Sequence, residues 1–158
     1  MKIVLLEPYF SGSHKSWALG LQSYSRHQIK IISLPGKFWK WRMRGGAITL
    51  AKDFMAMKNE ADLILATDML DLTTFLSLTR LRTSNIPTAI YFHENQLSYP
   101  LPKNDNDLQN KHNRHYGFIN ICSALAADHI LFNSNYHNES FQNEGLKFLK
   151  NFPDNNEL

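Results

Sequence analysis

Five short runs of β-branched and other apolar residues are the feature that most limits how this chain can fold. They occur at residues 2–6, 28–34, 62–66, 88–92 and 128–132. Helical patterns follow these runs in turn, at residues 14–27, 47–60, 70–81, 107–127 and 135–151. Strands that alternate with helices at such spacings form parallel sheets, and right-handed crossovers place the helices on both faces. The sequence therefore predicts an α/β fold with a doubly wound parallel sheet of about five strands.

The length of 158 residues suits a single domain with its own hydrophobic core. We expect this domain to cover residues 1–152. The polar segment at residues 153–158 is predicted to be either a disordered terminus or the start of a linker to a further domain.

Polar side chains directly follow the fourth and fifth apolar runs. After the fourth run these residues are His93, Glu94, Asn95 and Gln96, and after the fifth they are Asn133 and Ser134. Ligands of open α/β sheets bind just outside the carboxyl ends of the strands. We therefore predict that both groups lie at a binding site. Asp68 follows the third run, where it could simply cap the next helix.

The loop after the first run contains Gly12, Ser13 and His14 just before a predicted helix. Free N–H groups at a helix N-terminus favour anions, so this loop could contact a phosphate. It matches neither the three-glycine dinucleotide pattern nor the Walker loop. The alternative is that Gly12 makes a turn and Ser13 caps the helix.

A basic and aromatic segment follows the second run and is predicted to be an exposed loop. Stacking on aromatic rings and cation contacts to phosphate suit single-stranded RNA. A protein interface, or packing over the edge of the sheet, would explain the same composition. The candidate RNA-binding residues are Lys37, Trp39, Lys40, Trp41, Arg42 and Arg44.

The sequence does not predict a metal site. His93 and Glu94 begin like the zinc motif H-E-x-x-H, but position 97 is leucine and the pair follows a strand. His112 and His115 share a predicted helix face without an identifiable third ligand, so we expect a solvated or ligand-facing surface.

Charge and cysteine content exclude few functions. The 17 basic and 14 acidic residues give a net charge of +3, too small by itself to indicate a nucleic acid partner. The single cysteine, Cys122, cannot form a disulfide within the chain and is predicted to be buried and inert.

No apolar run reaches the ~20 residues that span a bilayer. Residues 1–10 do not resemble a signal peptide, so we expect a cytoplasmic protein.

Four segments together resemble one known family. They are E-x-x-x-x-G-S-H at residues 7–14, L-P-x-K-x-W-x-W-R at 34–42, Y-F-H-E-N-Q-L-x-Y-P at 91–100, and A-D-x-x-x-F-N-S at 127–134 with E-S-F at 139–141. In this order and spacing they resemble the N-terminal domain of the tRNA-queuosine α-mannosyltransferases, which are glycosyltransferases of the GT-B architecture.

The resemblance implies a Rossmann-like domain that forms the acceptor-side half of a GT-B enzyme. Such an enzyme would transfer mannose from GDP-mannose, with retention of configuration, to the cyclopentene hydroxyl of queuosine in a tRNA anticodon. It would need no metal or cofactor, and tRNA would be its partner. The chain stops at Leu158, where the donor domain should begin, so we expect no transfer by these residues alone.

The resemblance also assigns roles to particular residues. His93 and Glu94 would be the catalytic candidates, although Glu94 is not cast as a nucleophile because the leaving phosphate would take the acceptor proton. Gly12, Ser13 and His14 would approach the donor phosphates or the sugar. The remaining substrate-binding candidates are Asn95, Gln96, Asn133 and Ser134. The alternatives are a non-catalytic Rossmann-type module that binds RNA or protein, and a GT-B transferase with another acceptor.

Overall fold

The structure, a computed structural model, describes residues 1–58, 60–100 and 114–153. Within these ranges the chain alternates between strands and helices. The strands are β1 (Lys2–Phe10), β2 (Gln28–Pro35), β3 (Leu63–Thr67), β4 (Thr88–Phe92) and β5 (His129–Phe132). The helices are α1 (Gly12–Tyr24), α2 (Trp39–Ala56), α3 (Leu72–Thr83), α4 (Arg114–Ala126) and α5 (Asn135–Leu149).

The strands form one parallel sheet in the order β2-β1-β3-β4-β5. In the register, Leu5 of β1 pairs with Ile31 of β2 and with Leu65 of β3. The strand order reverses beside β1, so the loops that follow β1 and β3 leave the sheet in different directions. This is the place where a crevice forms at the carboxyl edge of a doubly wound sheet.

Helices cover both faces of the sheet, as predicted. Ala18 of α1 packs on one face against apolar side chains of β1, β3 and β4. The other face is covered by α2, α3, α4 and α5, with Leu50, Phe75 and Phe141 in the same buried cluster. The fold is therefore the predicted α/β, doubly wound Rossmann-like arrangement.

Strand β5 lies at the edge of the sheet within the described residues. It pairs with β4 alone there. Ile130 and Leu131 remain 44% and 46% exposed, in contrast to the fully buried Ile90 of β4. This flank of the sheet thus presents apolar side chains to solvent.

The prediction of a loop at the basic and aromatic segment is wrong. Helix α2 already begins at Trp39 and ends at Ala56, instead of running from residue 47 to 60. Gly45 and Gly46, which disfavour a helix locally, lie inside α2 and leave space for neighbouring side chains. A Cβ atom on Gly45 would lie 3.1 Å from the Trp41 indole, and one on Gly46 would lie 3.4 Å from Pro8. Just before the helix, Phe38 adopts a left-handed conformation with φ of 58°.

Two helix caps also differ from the prediction. Ser11, and not Ser13, occupies the N-cap position of α1, and its side chain makes no capping hydrogen bond. Asp71, and not Asp68, caps α3 by accepting a hydrogen bond from the Thr74 N–H at 3.0 Å. Both Ser13 and Asp68 are thereby left for other roles.

Cys122 is half-buried, so the prediction of full burial is wrong. Burial raises the pKa of its thiol, which keeps the group protonated, and the charge of Asp71 acts in the same direction.

Three predictions lie outside the described residues. They concern His112, the start of a helix at residues 107–113 and the tail at residues 154–158. The domain boundary at residue 152 stays a prediction. No helix in the described part of the chain is both long and apolar enough to span a membrane.

Candidate active site

A cavity of about 540 Å³ lies at the carboxyl edge of the sheet. The loop after β1, the loop after β4 and the start of α2 contribute its walls. Five of the predicted ligand-contacting residues line it together with Trp39: Gly12, Ser13, His14, Glu94 and Gln96. The structure thus brings two separate sequence motifs to one cavity.

His14 forms a buried pair with Glu7. The Nδ1 atom of His14 lies 3.1 Å from Oε2 of Glu7, and the exposed fractions of the two residues are 5% and 0%. Burial alone would lower the pKa of His14. The hydrogen bond and charge of Glu7, with the charges of Asp68 and Glu94, outweigh burial and raise this pKa above its ordinary value of 6.5.

The His93 ring packs among other rings. Its centroid lies 4.1 Å from that of His14, with 38° between the planes, and 4.9 Å from that of Trp17. Burial, followed by the charges of His14 and His137, lowers the pKa of His93 to about 3. Its Nε2 atom is buried without a hydrogen-bond partner among the described residues. His93 is therefore a neutral ring with an unused polar atom.

Asp68 lies below this loop and positions it. Its Oδ1 atom accepts a hydrogen bond from the backbone N–H of His93 at 3.0 Å. Burial raises the pKa of Asp68 to about 8, although the charge of His14 and the hydrogen bond from His93 oppose the shift. At neutral pH most of this carboxyl is thus protonated. Its Oδ2 atom is buried and unpaired within the described part of the chain.

Glu94 and Gln96 provide polar groups at the cavity wall. The Gln96 amide donates to Oε1 of Glu94 at 3.3 Å, and its backbone N–H donates to Asn120 of α4 at 2.7 Å. Burial raises the pKa of Glu94, while His14 and Gln96 oppose the shift. Carboxyl, amide and imidazole groups in one cavity can bind the hydroxyl groups of a sugar.

The other predicted substrate residues lie beside a second cavity. Asn95, Asn133, Ser134 and His93 line a space of about 360 Å³ on the β5 side, and Glu94 borders both cavities. The predicted site residues are therefore divided between two neighbouring cavities.

Asn95, Asn133 and Ser134 also hold the local backbone. Asn95 Oδ1 accepts hydrogen bonds from the backbone N–H groups of Leu97 and Ser98 at 3.2 and 3.1 Å, closing the turn after His93. Asn133 donates to the His93 carbonyl at 2.8 Å. The Ser134 hydroxyl caps α5. These side chains fix the loop that carries His93.

Glu7, His14 and His93 are spaced so that a metal ion could bridge them, with one ligand atom from each within 4.8 Å of the others. Both Glu7 oxygens already accept hydrogen bonds, because Oε1 receives the Tyr9 N–H at 2.9 Å and Oε2 contacts His14. The geometry favours an ion pair beside a stacked ring.

Comparison with known proteins identifies the family of this chain. A family model described as tRNA-queuosine alpha-mannosyltransferase N-terminal matches residues 2–158. The chain belongs to this family. Among curated proteins, the tRNA-queuosine alpha-mannosyltransferase of Drosophila melanogaster is 36% identical over 154 residues, which are 96% of this chain and 39% of that protein. The chain therefore spans about two fifths of this relative's length. The residues that the family model matches include all four segments quoted above, and the model confirms the family assignment.

The basic and aromatic residues of α2 differ in their contacts. Trp39 packs against Tyr116 of α4 with a centroid distance of 5.0 Å, and Arg44 lies 5.1 Å from the same ring. Lys40 lies 5.7 Å from the Trp39 ring. The packing interpretation therefore holds for Trp39, which also lines the main cavity.

Trp41 remains available to a partner. It is 63% exposed, and its neighbour Phe38, which the RNA prediction omitted, is 77% exposed. Lys37 is exposed beside them. The Nε atom of Arg42 donates to the Pro35 carbonyl at 3.2 Å and ties the start of α2 to β2. The exposed residues of this surface are thus Lys37, Phe38, Trp41 and Arg44.

Glu7 and Asp68 are the site residues that the sequence interpretation missed. Asp68 gave a signal, because an acid directly after a buried strand lies at the ligand edge of the sheet. Glu7 gave a weaker one, since Glu7-Pro8 resembles the end of a strand. Its burial depends on a partner seven residues away in a helix.

Proposed function

We propose that the chain is the acceptor-side, N-terminal half of a GT-B enzyme that transfers mannose from GDP-mannose to queuosine in a tRNA anticodon. The observation that carries this proposal is the family match over residues 2–158. It is supported by the cavity that the loops after β1 and β4 line together. In the longer enzyme, a second domain would face this cavity and hold the nucleotide. The proposal includes no metal or cofactor and places the enzyme in the cytoplasm.

The proposed reaction retains the configuration of the sugar. The bond between C1 of mannose and the diphosphate oxygen breaks, and GDP leaves with that electron pair. The acceptor hydroxyl oxygen forms the new bond to C1 on the same face, and its proton passes to the leaving phosphate. No protein nucleophile is needed, so Glu94 serves as a hydrogen-bonding group and not as an attacking carboxylate.

The residues of this chain would bind and orient the sugar. His93 is neutral, and its buried Nε2 atom has no partner in the described residues, so it suits a hydrogen bond to a hydroxyl of mannose or of the acceptor. Glu94 borders both the cavity beside His93 and the main cavity, where Gln96 adds a further polar contact. Hydrogen bonds that strengthen in the transition state would raise the rate of transfer.

The start of α1 would approach the donor diphosphate. Gly12 and Ser13 line the cavity at the N-terminus of this 13-residue helix. The first turn contains no acidic residue, and the Ser11 side chain makes no cap. Backbone N–H groups there can therefore interact with an anion, as can the His14 ring.

The tRNA would contact the exposed surface at the start of α2. Trp41 and Phe38 offer rings for stacking, and Lys37 offers a charge for phosphate. Such contacts depend on salt because cations released from the RNA drive part of the binding. Arg44 is also exposed and would add a second charge, while Trp39, Lys40 and Arg42, which are half-buried, would support this surface.

A transfer assay with the full-length protein tests the proposal. GDP-mannose labelled in the sugar would be supplied with a tRNA that contains queuosine, and with the same tRNA carrying guanosine instead. Label in the queuosine tRNA alone supports the proposal. Transfer to a lipid or saccharide, and not to tRNA, would indicate a GT-B enzyme with another acceptor. Binding of tRNA without transfer to any acceptor would favour a non-catalytic module.

A further inference from the structure

Glu7 does not line the cavity, yet its carboxylate contacts a side chain that does. We propose that Glu7 is a positioning residue that holds the His14 ring in one orientation, with a proton on Nδ1, and so gives the two stacked histidines different roles. This inference depends on the proposed function in one respect, which is that the ligand is a sugar. The states of the two rings can be measured without it.

The Glu7 carboxylate is fixed at both oxygens. Its Oε1 atom accepts the Tyr9 N–H at 2.9 Å, which leaves Oε2 for His14 at 3.1 Å. Glu7 is also a residue of β1, where it pairs with Ser33 of β2, and it is completely buried. The carboxylate therefore cannot rotate away, and a fixed acceptor holds the imidazole ring that it contacts.

The fixed Nδ1 contact leaves Nε2 as the nitrogen of His14 available to the cavity. Besides Glu7, the titratable groups that act on this ring are Asp68 and Glu94, and each favours the protonated form of His14 when it is itself ionised. A protonated imidazole has two N–H donors and no acceptor. His14 would thus donate a hydrogen bond to a ligand oxygen.

The same arrangement keeps His93 neutral. Burial is the main cause of its lowered pKa, and the charge of His14, whose ring lies 4.1 Å away, acts in the same direction. A proton on His137 would disfavour one on His93 as well. A neutral imidazole retains one acceptor nitrogen. His14 therefore offers a donor to the main cavity, while His93, which lines the neighbouring cavity, offers an acceptor. Hydroxyl groups of a sugar both accept and donate hydrogen bonds, so they suit both rings.

Imidazole nitrogen signals followed by NMR from about pH 5 to 8 in the 158-residue chain test the inference directly. In the wild type, we expect His14 to hold its Nδ1 proton and to titrate above pH 6.5, while His93 stays neutral throughout. In Glu7→Gln, the His14 midpoint should move down and His93 should accept a proton more readily. Glu144→Gln, which removes a surface carboxylate paired with Lys147, should move neither signal.

The wild-type spectrum decides the matter even if Glu7→Gln does not fold. A neutral His14 ring with its proton on Nε2 at pH 6.5 would overturn the inference. Binding of added Zn²⁺ with loss of the Nδ1 proton would also overturn it, in favour of a metal site. An unchanged His14 midpoint in a folded Glu7→Gln variant would have the same consequence.

Kinetics of the full-length enzyme provide a second readout. Glu7→Gln should lower kcat, and activity relative to wild type should recover as the pH is lowered, because a lower pH restores the His14 proton. A merely structural defect would give no such recovery, and its absence would contradict the positioning role. Should the protein show no transferase activity, the NMR result still stands and only the proposed function fails.

Discussion

The rings of His14 and His93 lie in tilted contact with their centroids 4.1 Å apart, although the two residues belong to segments that follow different strands. One ring has a raised pKa and the other a pKa lowered to about 3. Titratable groups whose environments separate their pKa values in this way are typical of functional sites. The two histidines therefore offer the first target for mutation.

In the full-length enzyme, His93→Ala should lower kcat about 10-fold or more, the effect of losing a hydrogen bond of about 1.5 kcal/mol or more in the transition state. The affinity for tRNA should stay unchanged. Transfer rates and tRNA binding measured on the same preparation check this. His129→Ala, on the exposed strand β5, is the matched control and should leave both unchanged. Equal losses of affinity and turnover in His93→Ala would contradict a role at the sugar.

The two tryptophans of α2 should respond differently to alanine. Trp41→Ala should weaken tRNA binding by about 1–3 kcal/mol, the usual value of a stacked base, and should cost less stability than Trp39→Ala because its ring is mostly exposed. Trp39→Ala should instead lower the free energy of unfolding by about 1–3 kcal/mol, because its ring packs on Tyr116. Filter binding and urea unfolding distinguish the two effects. Arg26→Ala, before β2 at the amino ends of the strands, should affect neither. Weaker tRNA binding by this variant would indicate that general positive charge, and not the α2 surface, holds the RNA.

Stability should fall with rising pH partly because of Asp68. Its pKa is raised from 3.8 to about 8, so between these values the unfolded chain has lost a proton that the folded chain retains. The folded state then binds more protons, and its stability decreases as the pH rises. The raised pKa of His14 acts in the same direction.

Asp68→Asn should therefore flatten the decline in stability between about pH 5 and 8, as measured by urea unfolding at several pH values. The asparagine oxygen can still accept the His93 N–H. Asp53→Asn on the exposed side of α2 should leave the slope as in the wild type. If Asp68→Asn shows the wild-type slope, the carboxyl is not protonated in the folded protein.

Gly12 and Gly20 form a matched pair in α1. Gly12 has φ of 50°, a conformation that costs an L-residue about 1–2 kcal/mol, so Gly12→Ala should destabilise the chain by about this amount. Gly20 lies inside the helix, and nothing lies within 4 Å of an added Cβ. Gly20→Ala should therefore stabilise the chain by about 0.5–1 kcal/mol. Chemical unfolding of both variants checks the opposite signs, and a shared sign would contradict the backbone argument.

Arg82 stabilises the end of α2 from α3. Its Nη1 atom donates to the carbonyls of Phe54, Met55 and Met57 at 2.9, 3.1 and 2.8 Å. Arg82→Ala leaves those carbonyls without this donor, so the free energy of unfolding should fall by about 1–3 kcal/mol. Arg80→Ala, an exposed residue on the same helix, should cost less than about 0.5 kcal/mol. Thermal or urea unfolding that ranks the two variants equally would contradict this capping role.

The local sequence predicts a strand correctly where proline or polar residues limit the apolar run on both sides. Residues 88–92 were predicted as a strand and form β4, because Pro87 and the polar group from His93 onward limit the apolar run on both sides. Strand β1 was predicted to end at Leu6, but it continues to Phe10. A buried glutamate usually ends a strand, and here Tyr9 and His14 satisfy it. The contact with His14 depends on how helix α1 packs on the sheet, and the spacing of apolar residues in the sequence does not predict this packing.

The candidate site was predictable only in part, for the same reason. His14 and His93 were each identified from their positions after strands, whereas their stacking depends on the strand order. The segment from Trp39 to Arg44 was predicted as a loop because Gly45 and Gly46 disfavour helices locally. Packing of Trp41 over Gly45 and of Gly46 against Pro8 overrides that preference.

The edge strand β5 has a practical consequence for handling these residues in isolation. Within the described ranges no strand pairs with the outer side of β5, and the backbone groups there, beside the exposed side chains of Ile130 and Leu131, are a template for pairing with another strand. Two copies of the chain meeting through β5 would bury these side chains and continue the sheet across the junction. The apparent particle size of the isolated chain should thus increase with its concentration, while the cavity at the carboxyl edge remains open to solution.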